Sequence, residues 1–356
     1  MLKRKEKIAA ADEPKEKKKK KKWKRIVFWI FMSILILILA IVISAAVAYG
    51  VLYNRGKVSM SNEEIKVTAP EGVEIIDDGA EVHYKGEKYN FNHDVISILI
   101  IGVDKRSMET EYEEGFNGQS DAVFLLVADT ETGEVDVINV SRDSMVDVST
   151  YSSSGAYAGD VRTQLCMAYS YGTTNEASCL NVIKSLSKLM YGMPVNSYFS
   201  LDLEAVRVMT DAVGGVVVPE YTDDLTKPTG RNVTVSGKQA EIYVRDRNVG
   251  LLDSNLTRMD RQKAFITGFA NKVVSLTKQD ITTPISLYNT LDGYICTDIT
   301  ADRVTYLATT FLDGVTDMEF HNVKGDVVKG EEFAEYNVDM TALYELILDV
   351  FYEKVE

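Results

Sequence analysis

"GQSDAVFLLVADTETGEVDVINVSRDS", residues 118–144, decides the fold. Two runs of strand length, Ala122–Ala128 and Glu134–Val140, flank Asp129-Thr130-Glu131-Thr132-Gly133. A polar turn closed by glycine between two β-prone runs is a hairpin signal. Just upstream, "ISILIIGV" (Ile96–Val103) is apolar throughout, the pattern of a strand buried on both faces. Farther out, "AEVHYKGEKYNF" reads as a short hairpin with a Lys-Gly turn. Downstream, "QLCMAYSYG" and "EASCLNVIKSLSKLMYG" have helical spacing and stop at glycine. "SYFSLDL" reads as a strand, "EAVRVMTDAVGG" as a helix and "VVVPE" as a strand. "GKQAEIYVRDR" fits helix and strand alike. Leu256–Ser275 is helical, as is the C-terminal "DMTALYELILDVFYEKV", where Asp339 can cap the start. Strands interleaved with helices make a layered α/β domain.

The charge is split along the chain. Residues 1–25 hold 13 Lys+Arg and 4 Asp+Glu, a net of +9; the remainder carries −23 of the total −14. The acidic part repels polyanions, which argues against a nucleic-acid partner. Ile26–Tyr53 is 28 residues without a charge. At about 1.5 Å per residue it spans a bilayer core of roughly 30 Å. Lysine-rich flanks stay cytoplasmic, so the domain is expected outside, on a single-pass anchor. "AVA" at Ala46–Ala48 resembles a signal-peptidase site, but the run exceeds an h-region of about 7–15 residues. Asn54 to about Ile75 reads as a stalk, and with the hairpin it fills residues 54–93. Cys166, Cys179 and Cys296 form no regular framework. A Cys166–Cys179 bridge stays open, and burial as small apolar side chains is the plainer reading. His83, His93 and His321 have no zinc spacing.

Beyond residue 25 the chain has 11 arginines, and four of them lie within "YVRDRNVGLLDSNLTRMDRQ", residues 243–262: Arg245, Arg247, Arg258 and Arg261. At about 100° per residue, Arg258, Arg261 and Gln262 fall on the same side of their helix as Phe265, Ile266 and Phe269. A solvated charged face would lie opposite the apolar stripe. Snorkelling stems and ion pairs account for one such arginine. Four near one helix start point to bound anions, since the guanidinium fork grips phosphate bidentately.

Asp104 closes one strand and Asp121 opens the next, so an antiparallel pair brings them together. Two carboxylates beside a phosphate suit Mg²⁺, with Mn²⁺ as a substitute. Aspartates at strand ends are also ordinary turn residues. "VSRDS" adds Arg142 after the third strand, and Arg106 joins the same rim. The intervening loop, Lys105–Gln119, has two glycines and several acids, and is expected to be mobile and to gate the site.

In order, "ISILIIGVDKR", "GQSDAVFLLVADTETGEVDVINVSRDSMV", "DAVGGVVV" and "VSGKQAEIYVRDR…TRMDRQ" resemble the motifs of the LytR–CpsA–Psr family. The resemblance runs from about Val95 to Leu276, and the C-terminal helix extends it. It implies a three-layer α/β/α sandwich with a mixed central sheet over residues 94–356, with a motif core at 95–276 and an extension at 277–356. It implies transfer of a glycopolymer from polyprenyl pyrophosphate to a muramic 6-hydroxyl of peptidoglycan, outside a Gram-positive cell. It places Asp104 and Asp121 as Mg²⁺ ligands, and Arg106, Arg142, Arg245, Arg247, Arg258, Arg261 and Gln262 around the pyrophosphate. The lipid would lie in an apolar tunnel between sheet and helices. The chain departs from the family pattern at Asn255, where an aspartate is usual. Asp253 is the alternative carboxylate, so Asn255 and Asp253 join Arg142, Arg245 and Arg258 as candidates for the chemistry. A pyrophosphate hydrolase and a non-enzymatic lipid-binding regulator are the competing readings.

Overall fold

The computed structural model describes residues 32–33, 36–60, 65–108, 117–152, 154–311, 317–331 and 333–355. The basic tail, part of the membrane run and the centre of the Lys105–Gln119 loop lie outside the described residues. The chain divides into two units, Met1–Asn54 and Arg55–Glu356. Helix α1 (Ile36–Met60) is 25 residues long and apolar enough to cross a membrane. It runs past Tyr53 into the stretch read as stalk, where no proline stops it.

In chain order the second unit contains β1 (Glu74–Ile76), β2 (Glu81–Tyr84), β3 (Glu87–Phe91), β4 (Val95–Val103), β5 (Ser120–Asp129), β6 (Val135–Val140), β7 (Met145–Tyr151) and β8 (Tyr157–Gln164). Then come α2 (Met167–Ser170), α3 (Asn175–Leu189), β9 (Ser197–Leu201), α4 (Leu203–Ala212), β10 (Val216–Tyr221), β11 (Pro228–Val235), α5 (Gly237–Arg245) and α6 (Ser254–Thr277). The remainder is α7 (Thr283–Thr290), β12 (Ile295–Thr297), α8 (Ala301–Thr310), β13 (Glu319–Asn322), β14 (Gly325–Lys329), β15 (Ala334–Val338), α9 (Met340–Phe351) and β16 (Tyr352–Lys354).

The central sheet has the order β12-β9-β4-β5-β6-β13. β4 pairs antiparallel with β5 and parallel with β9, so the sheet is mixed, as expected. The two readings of β4 and β5 meet in its alternation. Leu99, Ile101, Val103, Val123 and Leu125 enter one core, packed with Val182 and Leu186 of α3 and Leu343 and Ile347 of α9. Their neighbours Ile100, Gly102, Ala122 and Phe124 face the other way, into a cavity. This is the period-2 geometry of a strand buried on both faces. On the cavity side a second core joins Val206 of α4, Ala240 and Tyr243 of α5 and Phe265 of α6 to Val216 and Val218. Gly268 lets α6 sit directly on β10: a Cβ there would stand 2.5 Å from the Val217 carbonyl oxygen.

The ambiguous stretch at 237–245 is helix α5. Asp339 caps α9, accepting from the N–H groups of Thr341 and Ala342. "QLCMAYSYG" gives only the short α2, because β8 takes its first residue. The β7–β8 hairpin was not foreseen: β8 is largely exposed, so no apolar alternation marks it.

Candidate active site

The end of β4, the start of β5 and the end of β6 lie on one rim, where Gly102 pairs with Ala122 and Val123 with Val140. That register places Asp104, Asp121 and Arg142 together at the strand ends. The N-terminal part of α6 closes the rim. Arg258, 2% exposed, donates from Nη1 to Asp121 Oδ2 at 2.8 Å and from Nη2 to the Asp121 carbonyl at 3.3 Å. Arg142 donates through Nη1 to the other oxygen of Asp121, and through Nη2 to Gln119 Oε1 at 2.5 Å and to Cys166 Sγ at 2.9 Å. Arg142 Nε also lies 3.4 Å from Asp143 Oδ1, so two guanidiniums and two carboxylates crowd into a largely dry place. Burial, with repulsion from Arg142 and Arg247, pushes the Arg258 guanidinium down to about 9. The Nε of Arg258 is buried without a hydrogen-bond acceptor, and that of Arg142 has only a long ion-pair contact with Asp143. Buried donors of this kind call for an acceptor. A multiply charged oxyanion would supply acceptors and relieve the repulsion together.

Behind this rim is a cavity of about 260 Å³. Its lining includes Phe124, Phe199, Met209, Phe265 and Phe269, with Asp121, Asp202, Arg245, Arg258 and Gln262 as its charged and amide residues. An anion-binding mouth on an apolar interior suits a ligand with a phosphorylated head and a hydrocarbon tail.

The other expected residues divide. Arg245 lines the cavity and Gln262 does too, its Nε2 donating to the Val244 carbonyl at 3.1 Å. Arg106 and Arg245 both approach Glu241 Oε1, at 3.5 and 3.6 Å. The charge of Arg247 is near enough to repel Arg258. Asn255 is buried inside α6, donating from Nδ2 to Ser141 Oγ at 3.1 Å and accepting from Arg258 Nη2 at 2.8 Å. Asp253 stands exposed before the helix and makes no side-chain cap bond. Asp104 accepts from the Gln119 N–H at 2.6 Å. Asp104 and Asp121 offer carboxylate oxygens on adjoining strand ends, the donor type Mg²⁺ takes, while both Asp121 oxygens accept from arginines.

Arg261 is the correction. Instead of facing the cavity, it is 1% exposed, donates to the carbonyls of Tyr243 (2.8 Å) and Asp246, and lies over the rings of Tyr221 and Tyr243. It clamps the end of α5 to α6. Arg261→Met is expected to lower stability by roughly 1–3 kcal/mol, the cost of orphaning buried carbonyls, without altering anion binding. Urea unfolding and a ligand titration on the same variant check both halves.

The three cysteines are free, and Cys166 is in contact with Arg142 rather than with Cys179. Burial raises its thiol to about 11. At the opposite end of β6, Asp136, Glu319 and His321 group closely, with His321 Nε2 at 2.6 Å from Asp136 Oδ1. Glu241 and Ser141 are the site neighbours that sequence reasoning missed. Glu241 carried a signal: it lies three residues after Lys238 and four before Arg245, spacings that pair charges on a helix.

Fold and rim together define an α/β domain with arginines gathered at the strand ends beside an apolar cavity. The LytR_cpsA_psr family model matches residues 61–349. The chain therefore belongs to the LytR–CpsA–Psr family. It is 26% identical over 246 residues to a polyisoprenyl-teichoic acid–peptidoglycan teichoic acid transferase, TagU, of Oceanobacillus iheyensis, covering 67% of this chain and 70% of that one. Among solved structures it resembles the Lin1025 protein from Listeria innocua (TM-score 0.51, 26% identity, 72% of this chain and 96% of that one). B. subtilis TagV shares the fold (TM-score 0.55, 18% identity, 72% and 96% covered).

Proposed function

We propose that the domain transfers a glycopolymer from a polyprenyl pyrophosphate carrier to a hydroxyl of peptidoglycan. The observation that carries this reading is the pair Arg142 and Arg258 converging on Asp121 at the mouth of an apolar cavity. The cavity would take the first part of the lipid tail, and the rim the two phosphates. The acceptor hydroxyl attacks the phosphorus that bears the polymer. An O–P bond forms, the bond to the bridging oxygen breaks, and polyprenyl phosphate leaves with the electron pair. The hydroxyl proton passes to solvent or a nearby carboxylate. Such a step depends on positioning and charge neutralisation more than on a covalent nucleophile. Arg142, Arg245 and Arg258 would hold the phosphate oxygens and offset the charge that builds on them. Asp104 and Asp121 would hold Mg²⁺, which supplies further positive charge when bound. The pyrophosphate bond stores the energy, so no nucleotide is needed outside the cell. We place the N-terminus in the cytoplasm and the domain outside, from the lysine-rich segment ahead of α1.

Labelled lipid-linked polymer incubated with peptidoglycan and the protein tests this. Label entering the wall supports transfer. Label released to water would instead mark a hydrolase, and unchanged label a lipid-binding regulator. EDTA is expected to stop the reaction and Mg²⁺ to restore it. Asp104→Asn should raise the Mg²⁺ concentration needed, since a neutral oxygen is a poorer ligand for a hard cation. Full activity in EDTA would remove the metal from the mechanism.

A further inference from the structure

Glu241 lies within α5, and its side chain is 0% exposed. A carboxylate covered from solvent in this way is unfavourable unless cations satisfy it. Four surround it. Arg207 of α4 engages Oε2 with both Nε and Nη2, and Lys238 Nζ reaches Oε1 at 2.9 Å. Arg207 is fixed a second time by Glu204, at 3.0 Å. Desolvation pushes the Glu241 carboxyl up, but Lys238 and Arg207 together hold it below the ordinary glutamate range. These two cations are enough to compensate the charge.

The remaining two stand differently. Arg106 Nη2 and Arg245 Nη1 sit 3.5 and 3.6 Å from Oε1, in ion-pair range but beyond a good hydrogen bond. Their side chains are 58% and 47% exposed. Arg245 lines the cavity, and Arg106 follows Asp104 by two residues at its rim. We propose that Glu241 is a positioning residue, which holds Arg245 and Arg106 over the cavity mouth ready for the pyrophosphate of the lipid carrier. This rests on the function proposed above. Long, half-exposed arginines otherwise sample many rotamers, and binding must then fix them. A field from a buried carboxylate narrows that freedom while the guanidinium donors stay available to phosphate. Because Arg207 and Lys238 remain on Glu241, the carboxylate keeps its partners when the other two turn to the ligand.

The test is a double-mutant cycle on the full chain in detergent, with geranylgeranyl pyrophosphate as the probe and its Kd as the readout. E241Q is expected to weaken binding about tenfold in the wild-type background. In an Arg245→Ala background, the same change should cost no more than about threefold, since part of what it acts through is gone. E241D should recover most of the affinity. A purely structural Glu241 would give equal losses in both backgrounds, and that result, or unchanged affinity of E241Q, overturns the proposal. Should E241Q fold poorly, the pair Arg207→Met with Glu241→Met removes the carboxylate without stranding its main partner, a replacement that is often neutral; it should show the same tenfold loss, and wild-type affinity would overturn the proposal equally. Wild-type affinity in Arg245→Ala alone would instead sink the pyrophosphate reading itself.

Discussion

Arg258→Ala is expected to reduce transfer by roughly 10²–10³-fold, the usual cost of deleting one donor aimed at developing charge. Arg258 is buried, donates from Nη1 to the side chain of Asp121, and donates from Nη2 to both the Asp121 carbonyl and Asn255 Oδ1. Burial above all, with repulsion from Arg142 and Arg247, disfavours its charge. A bound pyrophosphate relieves that repulsion, and a reacting one, gaining charge on its leaving oxygen, relieves it further. Asp121 keeps Arg142 when Arg258 is lost, so the carboxylate is not stranded and the fold should survive. Arg258→Lys should recover little, because one ammonium cannot span Asp121 and Asn255 together. Label incorporation and a melting curve on each variant check this. Activity within threefold of wild type, or a melting curve that collapses while lipid binding persists, would mean that Arg258 serves the fold alone.

What was legible followed from chain-local physics. β4 and β5 announced themselves through unbroken apolar runs, β6 through a β-prone run after a glycine-closed turn, and α6 through its stripe. Because those elements were readable, so was the convergence of Asp104, Asp121 and Arg142 on one rim. What a helical wheel cannot show is where a long side chain ends. Arg258 and Arg261 share the core side of α6, yet one reaches Asp121 and the other turns to carbonyls of α5. The difference is set by α5, whose own stretch fitted helix and strand equally. For the same reason Glu241 escaped notice: its partners Arg106 and Arg207 come from distant parts of the chain. The edge strand β12 and the β14–β15 pair are three to five residues long, too short for a periodic signal.

Asn255→Asp is expected to raise turnover, by about 10²-fold. The acceptor hydroxyl must lose a proton as it attacks, and general-base help is typically worth about 10²–10⁴-fold. The amide of Asn255 orients its neighbours but cannot take that proton. It does not cap α6; it is buried one turn from Arg258 and in hydrogen-bond contact with Ser141. An aspartate has nearly the same shape, and both Ser141 and Arg258 can donate to it. The same contacts hold the new carboxylate in its charged form, which makes it a weak base and sets the gain at the low end of the range. Asp253, the alternative carboxylate, is exposed and lies ahead of the helix, so Asp253→Asn should leave the rate within about twofold. Single-turnover rates on one lipid-linked substrate decide between the two. In Asn255→Asp the pH–rate profile should also gain an acid limb, where protonation of the new carboxylate removes the advantage. If Asp253→Asn cripples the enzyme while Asn255→Asp changes nothing, the proton leaves by the exposed carboxylate, and Asn255 does no more than hold Arg258 in place.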